Sequence, residues 1–424
     1  MILTLISSRF IGFLNVSSFQ GFYSSRLARA YLGASNGQRF KGSDEQRKLR
    51  MSVAETLSKD DIALDQYYGT PTAGPLHLIN VTMNLTVDPA EQLVQRDRKG
   101  KPLCVAPGWY PLLKKPKAAP TSFILDGKTY RRDAEGGLSS ELRYSLSLGQ
   151  WIGTSGAAFT TGLGRTTSLG LSLVLGLANV RLGTWWPSNF LDKGQDTYQR
   201  KDPWLPRCLP TQSYLYYEFT AHFHGHRRDY RYLSDGGHFE NTATYELLRP
   251  ERDVELIVMC DCGCDPGYQF DDLTNLVRLA RIDQSLEIRE DTGVLANYTL
   301  ETVFGSIREF QQPAAPDSDK CALLLNVFRR RTDEEVRNGQ ERLQLMNRLL
   351  VLKPRLIAAL PPDVLNYANA NTEFPNQTTA DQFFDEAQFE SYRQLGLNIG
   401  EKIFGNGAQF NSVADELWKY LKIQ

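Results

Sequence analysis

Four stretches of this 424-residue chain carry side chains able to do chemistry. The densest is YLSDGGHFENTATYELL, Tyr232 to Leu248, which places Asp235, Gly236, Gly237, His238 and Glu240 side by side. An aspartate that ends a strand before two glycines points into space the glycines leave open. Burial lifts a carboxyl above its usual pKa of about 3.9, far enough to make it a base near neutral pH. The same residues also build an ordinary turn, in which Asp235 accepts a hydrogen bond from its own backbone and His238 or Glu240 caps the next helix.

GTSGA, Gly153 to Ala157, approaches the Gly-x-Ser-x-Gly elbow, where a serine nucleophile sits on a tight strand-to-helix turn. Ser155 is a nucleophile in that reading and a packing serine otherwise. GASNG, Gly33 to Gly37, fits the pattern formally and reads as a loop ending a helix. HFHGH puts His222, His224 and His226 on one face of a strand, a spacing that suits zinc or iron. No acid or cysteine at metal spacing accompanies them, and a polar strand end or loop satisfies the pattern equally. CDCGCD aligns Cys260, Cys262 and Cys264 on one strand face without the second pair a zinc site needs, which reads as small apolar packing. Asp261 and Asp265 then fall toward the C-terminal end of that strand, where α/β proteins gather ligands. No metal and no cofactor is expected, and no Walker loop, strand-linked G-x-G-x-x-G or H-E-x-x-H occurs.

The elements that must hold these residues can be read from hydrophobic spacing. PLHLINVTMNLTVD, Pro75 to Asp88, alternates as a strand does, and TSFILD is a short strand within a loop-rich region spanning 95–140. VELIVMCDCGCDP is a nearly continuous apolar run, the mark of a buried parallel strand. FDDLTNLVRLARIDQSLEI predicts a helix capped by Asp271 or Asp272. Residues 15–37 predict a basic helix with Phe19, Phe22, Tyr23 and Leu27 on its apolar face and Gly33 as its stop. LSLGQWIGTSGAAFTTGLGRTTSLGLSLVLGLANVRLGTWW predicts a short strand or turn leading into a buried helix, with glycines allowing close packing. Strand, helix and strand in succession indicate α/β. Beyond about residue 310 the expectation is polar helix. The net charge of −1 gives no electrostatic case for nucleic acid, and six cysteines without a framework spacing suit a reducing compartment.

The order of several segments resembles the large bacterial patatin-like phospholipases, relatives of the cytosolic-type phospholipases A. The segments are FYSSRLARAYLGAS, PLHLINVTMNLT, SGAAFTTGLGRTTSLGLSLVLGLANVRLGTWW, YLSDGGHFENTATYELL, FDDLTNLVRLARID, LVLKPRLI and FPNQTTADQFFDEAQFESYRQLG, running from about residue 15 to 396. The resemblance implies a three-layer α/β sandwich and hydrolysis of acyl esters by a Ser–Asp dyad. In that dyad the aspartate of an Asp-Gly-Gly motif takes the serine proton. It assigns the dyad aspartate to Asp235 and the pocket positions to Gly236, Gly237 and His238. It argues against Ser155 as nucleophile, because the family's elbow and its G-G-G-x-R oxyanion loop lie upstream of the segment like RLARAYLGAS, and neither motif occurs here. The chain therefore looks like the C-terminal part of such an enzyme, or a non-catalytic lipid-binding subunit of a split one.

The expected organisation is residues 1–14 as the remnant of a membrane span, 15–310 as the hydrolase part and 311–424 as a mostly helical extension. The expected partners are a phospholipid or other acyl ester, a membrane surface and a separate nucleophile-bearing chain. The expected location is the cytoplasmic side of a membrane, and an exposed apolar sheet edge is expected where partner strands are missing.

Overall fold

The computed structural model describes residues 8, 10–50, 56–69, 75–87, 94–107, 121–125, 128–131, 146–187, 202–315, 317–378, 384–407 and 411–422. Residues 1–7 and 9 of the expected membrane remnant lie outside that set. The chain forms two compact units, Met1–Asn241 and Thr242–Gln424, whereas the sequence placed its break at 310/311. Both units mix helix and sheet, so the α/β expectation holds at that level.

The first unit is organised by strands β1 (Ile79–Asn84), β2 (Gly100–Pro107), β3 (Thr121–Leu125), β4 (Lys128–Arg131), β5 (Thr184–Pro187) and β6 (Tyr230–Asp235). They lie in the order β4-β3-β2-β1-β6-β5, every neighbouring pair antiparallel. Strand alternation sends Ile79, Val81, Met83, Val105, Phe123 and Leu233 to one face. There they pack with Trp186 against Trp151 of helix Leu148–Ser155. The opposite face receives Trp185 and Tyr232, which meet Tyr214 of helix Pro210–Phe219 together with Ile11 and Leu14. Burying an aromatic core of this kind is worth about 1.5–3 kcal/mol per side chain, so this unit is held chiefly by apolar burial on both sheet faces.

The expected bare sheet edge is not found at β5. Its four residues are buried, and Asn15 pairs with the outer edge as a strand would, accepting from Trp185 N at 2.8 Å and donating to Trp185 O at 2.9 Å.

The second unit holds β7 (Leu256–Cys260), β8 (Leu286–Glu290), β9 (Ala322–Arg330) and β10 (Leu343–Leu352) in the order β7-β10-β9-β8. VELIVMC does pair in parallel, with β10, but it is an edge strand with alternating exposure rather than a fully buried one. The expectation of polar helix after residue 310 is corrected by this sheet. The two longest strands fall there, because ALLL and LLVL bury at the centre of the sheet, and three helices from Pro362 onward cover them. Helix Asp271–Asp283 forms as predicted, but neither Asp271 nor Asp272 caps it. Phe270 occupies the cap position in a left-handed conformation, and Asp265 accepts from Gln269 N and Phe270 N at 2.8 and 3.0 Å.

Candidate functional site

Asp235 is the last residue of β6, opposite Val81 of the central β1. The chain leaves the sheet there in a single 3-10 turn, Gly236–His238, and Asp235 Oδ1 accepts from Gly237 N at 2.7 Å. The glycine at 236 is required by close approach, since a Cβ there would stand 2.6 Å from the Asn80 carbonyl oxygen. Burial raises the Asp235 carboxyl to about 6, opposed only in part by the Gly237 N–H. Among the described residues no donor reaches the other carboxylate oxygen.

Ser155 is close to this turn without serving it. Its hydroxyl donates to Asn80 O at 2.7 Å, and it makes no hydrogen bond with Asp235. GTSGA also differs from an elbow in polarity. Ser155 ends helix Leu148–Ser155, which a Ser147–Gln150 capping box starts, whereas an elbow serine opens its helix. The negative end of a helix dipole disfavours an alkoxide, so this position lacks the activation an elbow supplies.

His238 does not orient Asp235. Its Nε2 lies 3.2 Å from Ala158 O, and its Nδ1 lies 2.8 Å from Ser234 Oγ, which in turn accepts from Asn84 Nδ2 at 2.8 Å. Donation to a carbonyl fixes Nε2 as the protonated nitrogen, leaving Nδ1 to accept from the serine. Burial lowers this imidazole to about 4, so it stays neutral and acts as a strut between the turn and residues 156–164. The same segment is tied down by Asn84 Oδ1, which accepts from Gly164 N at 3.0 Å. Gly164 has φ +53°, and a side chain there would collide with the His238 carbonyl.

Two residues beside the site carry no local sequence signal. Tyr23 donates to Gly156 O at 3.0 Å, and its hydroxyl is raised by burial first and by the Asp235 charge second, which places it within electrostatic range of that carboxylate. Asn80 offers one carbonyl to the Ser155 side and the Gly236 side together. Below the sheet, Glu218 is fully buried and accepts from Arg181 and Trp185 at 3.1 Å each, from Tyr232 at 3.1 Å and from Thr161 at 3.2 Å. That network clamps the FTT segment onto β6.

The other sequence candidates fall elsewhere. His222 is exposed beside Thr220, and His224 is half-buried edge-on to Tyr217 and lowered to about 4 by desolvation, so the strand expected for HFHGH is a turn. The His226 side chain lies outside the described residues. Cys260, Cys262 and Cys264 are exposed rather than packed, because β7 is an edge strand that ends at Cys260. Asp261 and Asp265 meet at one buried cation, Lys353, with Nζ at 3.1 and 3.3 Å. Among the described residues no three His, Cys, Asp or Glu side chains are grouped to hold a metal ion, and no helix is long and apolar enough to cross a membrane. Compared with models of known families, with curated proteins and with solved structures, the chain matches none.

Proposed function

We propose that this chain is a component of a patatin-like lipid acyl hydrolase, a three-layer sandwich in which Asp235 is the base of a Ser–Asp dyad and Ser155 is not the nucleophile. The observation that carries the reading is the Asp235 carboxylate itself. It sits at a strand end beside two glycines, is raised to about 6, and keeps one oxygen without a donor among the described residues. A carboxylate in that state accepts the proton of a serine hydroxyl as its oxygen attacks an ester carbonyl, and returns it to the departing alcohol. Water then repeats the exchange on the acyl-enzyme. The order of the seven segments that resemble the family supports the substrate class, an acyl ester of a phospholipid or similar lipid. The occupied Ser155 hydroxyl supports a nucleophile outside this constellation, in keeping with a separate chain that brings the elbow and the oxyanion loop.

The test is hydrolysis of a short-chain p-nitrophenyl ester by the full chain combined with a polypeptide bearing a G-G-G-x-R loop and a G-x-S-x-G elbow. Activity is expected in the mixture, retained in Ser155→Ala and lost in Asp235→Asn. Activity that disappears with Ser155→Ala, or survives in Asp235→Asn, overturns the reading.

A further inference from the structure

A helix on the surface of a water-soluble protein turns its large apolar side chains inward. Helix Leu169–Leu177, LGLSLVLGL, does the reverse. Its buried positions are Ser172 and Gly176, one turn apart, while Leu169, Val174 and Leu177 are 60%, 63% and 72% exposed. Close packing explains the choice of small residues. Ser172 Oγ donates to Thr161 O at 2.7 Å, and a side chain at Gly176 would run into the Phe219 ring.

The segment Phe19–Leu27 repeats the pattern. Gln20 and Ser24 are buried, and Phe19 and Phe22 are more than half exposed. Gln20 Nε2 donates to Thr154 Oγ1 at 3.2 Å, and Ser24 lies so close to Gly153 that a side chain there would overlap it. Small and hydroxyl-bearing residues inside, with bulky apolar residues outside, is how helices pack when the surrounding medium is hydrocarbon. The end of the first helix meets the start of the second segment, because just outside them Asn179 Nδ2 donates to Ser17 O at 3.0 Å and Arg181 Nη2 donates to Ser17 Oγ at 3.1 Å.

Exposed cations border this surface, and Arg26 lies over the Phe22 ring, 5.3 Å from its centroid. At the start of the apolar helix a groove of about 560 Å³ is lined by Arg96, Lys99, Thr167 and Ser168, with Asp97 its one acid among the described residues. Lys99 Nζ donates to Thr167 O at 2.6 Å, and Arg165 is exposed just before the helix. An aliphatic centre with a cationic rim matches the interface of an anionic bilayer, acyl chains under the leucines and phosphates at the rim. The exposed aliphatic residues cover about 200° of the helix circumference at 100° per residue, a broad and continuous apolar surface. At nine residues the helix is about 13 Å long, so it lies in the interface instead of spanning it.

We propose that helix Leu169–Leu177, with Phe19 and Phe22 alongside, docks this protein onto an anionic lipid bilayer. Arg96, Lys99 and Arg165 meet the lipid phosphates. The docking rests on this surface and not on the chemistry of Asp235.

The experiment is co-sedimentation of the full chain with vesicles of equal parts phosphatidylcholine and phosphatidylglycerol, against pure phosphatidylcholine. The chain is expected to pellet with the anionic vesicles and to bind the neutral ones at least about thirtyfold less, as the loss of two phosphate contacts implies. Val174→Glu with Leu177→Glu is expected to abolish binding, and Arg165→Glu to weaken it about fivefold. All three positions are exposed, so circular dichroism should be unchanged. Asp235→Asn should bind as the parent does, which separates this proposal from the hydrolase reading. The proposal is overturned if the double variant still binds, if the parent ignores anionic vesicles, or if the parent is a dimer that Val174→Glu with Leu177→Glu dissociates.

Discussion

Burial raises the Asp235 carboxyl and makes its charge costly. Its carboxyl moves from 3.8 to about 6, so the folded chain holds a proton that the unfolded chain has released over roughly pH 4 to 6. The stability this residue contributes is therefore present below pH 4 and is lost as the pH rises through 6. Asp235→Asn keeps the acceptor for Gly237 N–H without the charge. In urea denaturation the variant should match the parent at pH 4 and exceed it by about 2–3 kcal/mol at pH 8. Equal stability at pH 8 would mean that Asp235 is not held above its ordinary value. His238 has the opposite sign, because its folded value lies below 6.5, and its contribution is lost as the pH falls toward 4. Asp235 was legible as a local motif, strand end and double glycine together. Tyr23 and Asn80 were not, because they reach the site from 133 and 75 residues away from their hydrogen-bond partners, and no local spacing records such a meeting.

At the scale of elements, the period of the apolar residues was readable but the direction of each face was not. Phe19 and Phe22 stand out at helical spacing in the sequence, and they lie outside, because Gln20, Ser24 and Gly153 pack more closely than phenylalanines could. The alternation of β1 and the double-glycine end of β6 were plain. Strands β9 and β10 were missed because a centrally placed strand buries both faces and loses the alternation that identifies it. Two substitutions probe how the elements of each unit are held. Gly164→Ala combines a left-handed backbone with a collision at His238 O, and should cost about 2 kcal/mol or more and disturb the Asp235 turn, seen as a lowered melting temperature. A melting temperature equal to that of the parent would show that residues 156–164 do not brace the turn. Lys353→Met leaves Asp261 and Asp265 without their buried cation, and should cost about 3–5 kcal/mol at pH 7. Burial already raises the Asp261 carboxyl against the pull of Lys353, so that deficit should shrink on acidification as Asp261 protonates. A deficit that does not change with pH would rule out a charge effect.

At the scale of the molecule, the succession of strand, helix and strand in the sequence pointed to the mixed helix and sheet that the chain forms. The division into units did not follow from it. It falls between Asn241 and Thr242, just past the Asp235 turn, where the sequence shows one continuous polar stretch leading into TATYELL. Asp235, Tyr23, Asn80, Ser155 and His238 all belong to the first unit, and the Lys353 cluster belongs to the second. The candidate site therefore lies within the first unit. The measurement that decides it is the initial rate of p-nitrophenyl ester hydrolysis by the full chain with its complementing nucleophile segment, comparing the parent, Asp235→Asn and Ser155→Ala in one assay. Asp235 as the dyad base predicts a fall of at least about a hundredfold in Asp235→Asn and an unchanged rate in Ser155→Ala. A rate that survives in Asp235→Asn, or collapses in Ser155→Ala, contradicts it.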